Sequence, residues 1–249
     1  MIATLFSFAE QSFAQLSLNL GYGNHFFQDQ GHSPFVYSAG ARRLGAQYEW
    51  TNEKSEWGIS IDRSKKELTP QLDFDDKYEL NLANRDLMVG QVNWKRKINS
   101  KNYNAWIGAR LLTHYDFVPY NHSANNLVSY ELTNALAPVL EIRFDLNKKW
   151  ELQLQASFPL VVASIRPEPL GLFPLENFDV SASDILTSIS VQSVNRVFYL
   201  DNTASMKYET EHREISFGLH YFGGYNRFAE HKGHVFHSVF VNVPLRFNK

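Results

Sequence analysis

The stretch WELQLQASFPLVV (150–162) switches between apolar and polar residues with a period of two. An extended strand sends successive side chains to opposite faces. Trp150, Leu152, Leu154, Ala156, Phe158, Leu160 and Val162 are therefore expected on one face, and Glu151, Gln153, Gln155, Ser157 and Pro159 on the other. A helical face needs a spacing near 3.6, which this pattern does not offer. The same alternation recurs at 16–22, 44–50, 57–61, 88–94, 103–117, 136–146, 198–208, 215–225 and 235–247. About ten strands follow, with no long segment of helical period, so the chain is expected to be all-β.

Which face looks inward depends on the surrounding solvent. A water-soluble barrel buries its apolar face, whereas a membrane barrel turns that face out against lipid. The chain has 249 residues, 44% hydrophobic and 14% aromatic, with a net charge of −2, and its mean hydropathy is −0.33. It holds no run of about 18 apolar residues, which excludes a transmembrane helix but not a barrel, whose strands need only about 9–11 residues with every second one apolar. The near-neutral charge gives no reason to expect nucleic acid as a partner. Cysteine is absent, which excludes disulfides, thiolate catalysis and cysteine-ligated zinc.

Three further patterns favour lipid outside. Short polar connections at 51–55, 99–102, 147–149 and 210–213 alternate with longer ones at 27–36, 64–85, 118–133, 165–195 and 227–234, as in the hairpins of a membrane barrel. Trp50, Trp57, Trp94, Tyr103, Trp150 and Tyr208 sit on the apolar face beside the short turns. Tyr22, Tyr37, Tyr115, Phe117, Phe198, Tyr221 and Tyr225 lie toward the long loops. Amphipathic rings collect at the two membrane interfaces in this way. The polar face carries Arg43, Glu49, Glu56, Asp62, Lys95, Arg110, Glu141, Arg143, Asp145, Glu151, Lys207, Glu214 and Arg246. Their mixed signs suit pairing inside a narrow lumen, where Gly21, Gly45, Gly58, Gly108 and Gly218 also fall.

The final strand, VFVNVPLRFNK (239–249), carries Phe247 near its end and resembles the aromatic-terminated last strand of bacterial outer-membrane β-barrels. The SFAQ stretch (12–15) is similar to signal-peptide ends of Bacteroidota. The resemblance implies an up-and-down antiparallel transmembrane β-barrel of about ten strands in the outer membrane of a Gram-negative bacterium. Its short turns would be periplasmic and its long loops extracellular. The barrel is expected over 15–249, with 1–14 a truncated signal peptide. Outer-membrane lipid and lipopolysaccharide are its implied surroundings, and no cofactor is implied.

No nucleotide loop, His-Glu-x-x-His or Gly-x-Ser-x-Gly signature occurs. The THYDF stretch (113–117) turns His114 and Asp116 to the polar face near the long-loop end, where Asp62, Asp201 and His220 approach the same level. Omptin proteases resemble this chain in strand number and in residue type, using Asp–His and Asp–Asp pairs at the outer rim to activate water. The competing reading is a hydrogen-bond network in the lumen. A His–Ser lipid deacylase needs both residues on the outer surface, whereas His237 and Ser238 fall on opposite faces. His231, His234 and His237 lack a carboxylate framework, so no metal is expected.

The 165–195 connection carries Leu170, Leu172, Phe173, Leu175 and Phe178. Such a stretch either docks a partner or folds over the barrel mouth, or it extends its flanking strands above the membrane. The expected function is that of a filled barrel serving as a structural or accessory subunit of an outer-membrane assembly, with this loop touching other outer-membrane proteins. The alternatives are an outer-rim hydrolase around His114 and Asp116, and a narrow channel or small-solute binder.

Overall fold

The computed structural model describes residues 13–29, 36–70, 82–99, 103–121, 126–165, 189–193, 196–210, 214–226 and 232–245. The strands are β1 Phe13–Asp29, β2 Val36–Thr51, β3 Ser55–Pro70, β4 Leu82–Asn99, β5 Asn104–Asn121, β6 Asn126–Asn147, β7 Trp150–Ser157, β8 Val161–Ile165, β9 Ile189–Ser193, β10 Val197–Glu209, β11 Glu214–Asn226 and β12 Lys232–Leu245. Neighbours pair antiparallel from β1 through β7, β7 pairs with β10, and β12 returns to β1. Ten staves thus close an up-and-down barrel.

β8 and β9 carry the β7 and β10 staves further. β6 pairs Val139 with Ser157 and then, three residues on, Leu136 with Val161. One extra residue is therefore inserted beside Pro159, which has no N–H to give the ladder. A one-residue insertion exchanges the faces beyond it. Phe158 and Leu160 keep the outward facing expected of them, but Val162 does not: it is 0% exposed and points into the bore, while Val161 points out.

The register sets the barrel's dimensions. A row of directly paired residues leaves β6 at Phe144, crosses Leu20 on β1 and Met88 on β4, and returns to β6 at Leu132, twelve residues away. Ten strands with that stagger tilt by about 40° around a backbone radius of about 10 Å. Each residue then climbs about 2.5 Å along the barrel axis, and each step to the next stave about 3 Å.

The polarity is inverted relative to a water-soluble domain. Leu20, Leu44, Ile107, Leu140 and Leu219 face outward and are at least half exposed, while Glu56, Lys95, Arg110 and Glu141 are buried inside. On β2 the outward face runs from Trp50 to Arg42, about 20 Å of height at the rise given above. This is the apolar band of a transmembrane barrel. Beside the short turns Trp50 stacks on Trp57 at 5.9 Å, Trp57 meets Trp94 at 6.3 Å, and Trp150 lies 4.6 Å from Tyr208. Phe198 meets Tyr225 at 6.0 Å toward the other end. Tyr37 departs from the expected girdle: it is inward and fully buried.

Two of the short turns are held by asparagine side chains. Asn52 Oδ1 accepts from the amides of Lys54 (2.9 Å) and Ser55 (2.7 Å), and Asn147 Oδ1 from those of Lys149 (2.9 Å) and Trp150 (3.1 Å), as the turn chemistry of asparagine predicts. The long connections are shorter than expected. β3 runs to Pro70, β5 to Asn121, and β6 starts at Asn126. β8 and β9 pair from Val161↔Ser193 to Ile165↔Ile189, so the 165–195 segment begins and ends as strand. β1 begins at Phe13, two residues before the expected start of the barrel. Residues 1–12, 166–188 and 246–249, including Leu170, Leu172, Phe173, Leu175, Phe178, Arg246 and Phe247, lie outside the described residues.

Candidate functional site

Three polar layers cross the bore. In the layer nearest the short turns, Lys95 from β4 lies between Glu56 of β3 and Glu141 of β6, with its Nζ 2.6 Å from Glu141. Arg143 binds the same two carboxylates, at 2.6 Å from Glu56. Trp106, turned inward by the parity of β5, places its ring 4.8 Å beneath the Arg143 guanidinium. Beside this group Gln47 donates to Glu49 at 2.5 Å.

The middle layer is a chain of bonds across the barrel. Arg110 donates to Asn93 at 2.6 Å and pairs with Asp201. Asp201 also accepts from His220 Nε2 at 2.8 Å. His220 Nδ1 meets Arg43 at 2.5 Å, and Arg43 donates to Asp62 at 2.7 Å. Arg43 is a donor only, which makes Nδ1 the acceptor and leaves the proton on Nε2, aimed at Asp201. Gly45 lets this layer form, because a Cβ there would lie 1.9 Å from Asp62 Oδ1.

The layer nearest the long loops falls partly where the sequence pattern predicts connections. Arg85 makes a two-pronged contact with Asp116 at 2.8 and 3.1 Å, reaches His25 at 3.3 Å and lies 4.9 Å over the Phe27 ring. His25 bonds Ser64 at 2.8 Å and stacks on Phe236 at 4.2 Å. Tyr199 and Thr133 donate to Glu131 at 3.0 and 2.9 Å. Two apolar clusters fill the space between these groups. One is Leu112, Ala135, Val162, Val197, Tyr199 and Phe222; the other is Phe27, Tyr37, Leu68, Ala83 and Val118. Below them a cavity of about 1310 Å³ opens toward the short turns, lined among others by Glu49, Glu151, Gln153, Lys207 and Glu214.

The charged residues expected on the inner face lie there within the described residues. Lys207 pairs with Glu214 at 3.0 Å near the mouth, where Asp145 is exposed and Glu151 half-buried. Of the candidate catalytic residues, Asp201 and His220 are brought together. His114 and Asp116 are held by different neighbours: Arg85 occupies the Asp116 carboxylate, while His114 faces Tyr199 at 5.8 Å and Phe222 at 5.4 Å, both edge-on. A general base must offer a nitrogen within reach of the water it activates. In His220 both nitrogens are already engaged. His237 faces outward, the His234 side chain is not described, and His231 lies outside the described residues. Among the described residues no group of three His, Cys, Asp or Glu is placed to hold a metal.

Arg85, His25, Glu131, Asn93 and Trp106 join the inner layers without having been singled out by sequence. Arg85 falls in a stretch whose outward positions, Asn84 and Asp86, are polar, so the strand pattern fades there although the strand continues, whereas Glu131 lies between outward Tyr130 and Leu132, inside a stretch expected to be a connection.

Comparison with protein families finds no match. Comparison with curated proteins finds none either. Among solved structures the chain is similar to bacterial outer-membrane barrels. Neisserial surface protein A aligns over 94% of this chain and 99% of its own, at 8% identity and a TM-score of 0.37. The attachment invasion locus protein of Yersinia pestis aligns over 93% and 99%, at 9% identity and 0.33. The translocator domain of the autotransporter NalP from Neisseria meningitidis aligns over 99% and 92%, at 8% identity and 0.36.

Proposed function

We propose that this chain is a non-conducting barrel of the Gram-negative outer membrane, with its short turns in the periplasm, and that it serves as a structural or accessory subunit of an outer-membrane assembly. The observation that carries this reading is the closed bore. Apolar clusters around Phe222 and Tyr37 and the Arg85–Asp116 layer fill the long-loop half, so the periplasmic cavity ends blindly beneath them. A barrel of this radius has an interior that side chains can fill. The same packing weighs against an outer-rim hydrolase, since the candidate His and Asp groups are bound into structural layers.

The test is conductance of the purified barrel in planar bilayers, together with identification of proteins that stay with it after mild detergent extraction. No steady channel and a reproducible protein partner are expected. A stable conductance on the scale of a nanosiemens would replace this reading by the narrow-channel alternative.

A further inference from the structure

Where the apolar band ends toward the long loops, three cations crowd onto two neighbouring staves of the outer wall. The β2–β3 register is the same at Ser38↔Thr69 and at Arg43↔Ser64, so outward Arg42 stands opposite outward Lys65. Arg63 lies one outward position below Lys65, and the three fall within about 5 Å of one height. All three are exposed. One carboxylate, Asp86, pairs across the strands with Lys65, and Arg63 holds it with two bonds, one of them 2.8 Å from Nε. Glu67 is the next outward residue above Lys65. Arg42, Lys65 and Glu67 form no ion pair among the described residues. At this height the other staves present Met88, Thr113, Val161, Leu200 and His237, and no further lysine or arginine faces outward there among the described residues. The positive charge is a patch on one sector of the wall, not a belt around it.

Like charges directly opposite each other in a sheet repel, and hydrocarbon beside the patch weakens the screening that water would supply. An anion seated between Arg42 and Lys65 turns that repulsion into two charge-assisted contacts. Tyr22 adds a neutral donor. It pairs directly with Arg42, and Gly40 leaves room for its ring to lean over β2, since a Cβ there would meet the Tyr22 hydroxyl at 2.2 Å. The hydroxyl therefore lies just above Arg42 on the same stave. Beneath the patch Leu20, Leu44 and Ile61, on β1, β2 and β3, are at least half exposed.

The same three staves thus offer cations at the edge of the band and hydrocarbon directly below, the order of phosphate and acyl chain in a phosphorylated lipid. We propose that this patch binds a phosphate of lipid A, the phosphorylated glycolipid of the outer leaflet. The phosphate lies between Arg42 and Lys65, within reach of the Tyr22 hydroxyl, and the acyl chains lie against Leu20, Leu44 and Ile61. A phosphate monoester carries about −1.5 to −2 charges with no cation of its own to set against them. A zwitterionic phospholipid brings a single negative charge and an ammonium that the patch repels. This rests on the outer-membrane reading above, and it gives that reading a specific lipid contact.

The full-length folded barrel in non-ionic detergent is supplied with lipid A, with lipid A stripped of its phosphates, or with phosphatidylethanolamine, and weighed by native mass spectrometry. One retained lipid A is expected, with the other two lipids held about tenfold more weakly or less. The double variant Arg42→Gln, Lys65→Gln should lower lipid A retention by roughly a hundredfold, tenfold for each charge-assisted contact. Arg96→Gln removes an exposed outward cation beside the short turns and should leave retention unchanged. Heat-modifiable migration of each variant verifies that it is folded. Equal retention of lipid A with and without its phosphates overturns the site. So does unchanged retention in the folded double variant, or an equal loss in Arg96→Gln, which would reduce the effect to overall charge. A chain that never folds into vesicles would instead refute the membrane reading on which the site rests.

Discussion

Replacing Lys95 by methionine removes the cation between Glu56 and Glu141 while keeping most of its apolar stem. All three groups are buried, and Lys95 Nζ stands 2.6 Å from Glu141 and also binds Glu56. Removing one partner of a buried pair costs about 3–5 kcal/mol, mostly because the remaining charge is stranded. Two features reduce that figure. Arg143 stays bound to both carboxylates, and the adjoining cavity can admit water to them. A loss of about 2–4 kcal/mol is therefore expected for Lys95→Met. Adding Glu141→Gln removes one of the stranded charges, so the double variant should be more stable than the sum of the singles by about 1–3 kcal/mol. Urea unfolding from lipid vesicles, followed by tryptophan fluorescence, measures all four corners of the cycle. A Lys95→Met loss below about 0.5 kcal/mol, or strict additivity, would show that the layer is solvated and not a buried ion cluster.

Leu154→Arg, at mid-height of the apolar band, should oppose insertion by about 2–4 kcal/mol, and Gln153→Ala far less; equal effects on heat-modifiable folding would refute the assignment of faces. Asp116→Ala strands Arg85 and should lower stability by about 1–3 kcal/mol, and His114→Ala should likewise act on stability alone. A hydrolytic activity that disappears in folded His114→Ala would sink that expectation. Val162→Asp places a carboxylate among Leu112, Tyr199 and Phe222 and should block folding, whereas Val161→Asp should still fold. The reverse order in a refolding assay would return Val162 to the lipid face.

The staves are legible because lipid imposes a strict rule. Outward positions across the hydrocarbon are held apolar with few exceptions, so period two survives even in strands as mixed as β1 and β4. The rule lapses where lipid ends. On β3 the outward positions beyond Ile61 are Arg63, Lys65 and Glu67, and Arg63 pairs with Asp86 on the outer wall. The contrast between faces vanishes there, although β3 continues to Pro70. The pattern then reads 64–85 as a connection, and it hides Arg85 inside it. Pro159 has a different effect, since an inserted residue leaves the apolar count of the strand unchanged while reversing Val162.

The proposed closure of the bore is harder to read, because it is a property of register and not of composition. Leu112, Phe222 and Phe236 occupy inward positions, and in any single strand each looks like an interruption of the polar face. Their meaning comes from alignment. Leu112 pairs with Ala135, Ala135 with Val162, and Phe222 with Phe236. These interruptions fall together only with the twelve-residue stagger around the ring, which no local pattern encodes. Had the staves been offset by two residues, the same side chains would face inward without stacking into one plug. Whether the barrel conducts is therefore decided by long-range pairing. The charged lumen residues, legible one by one, do not decide it: they line the cavity beneath the plug as readily as they would line an open pore.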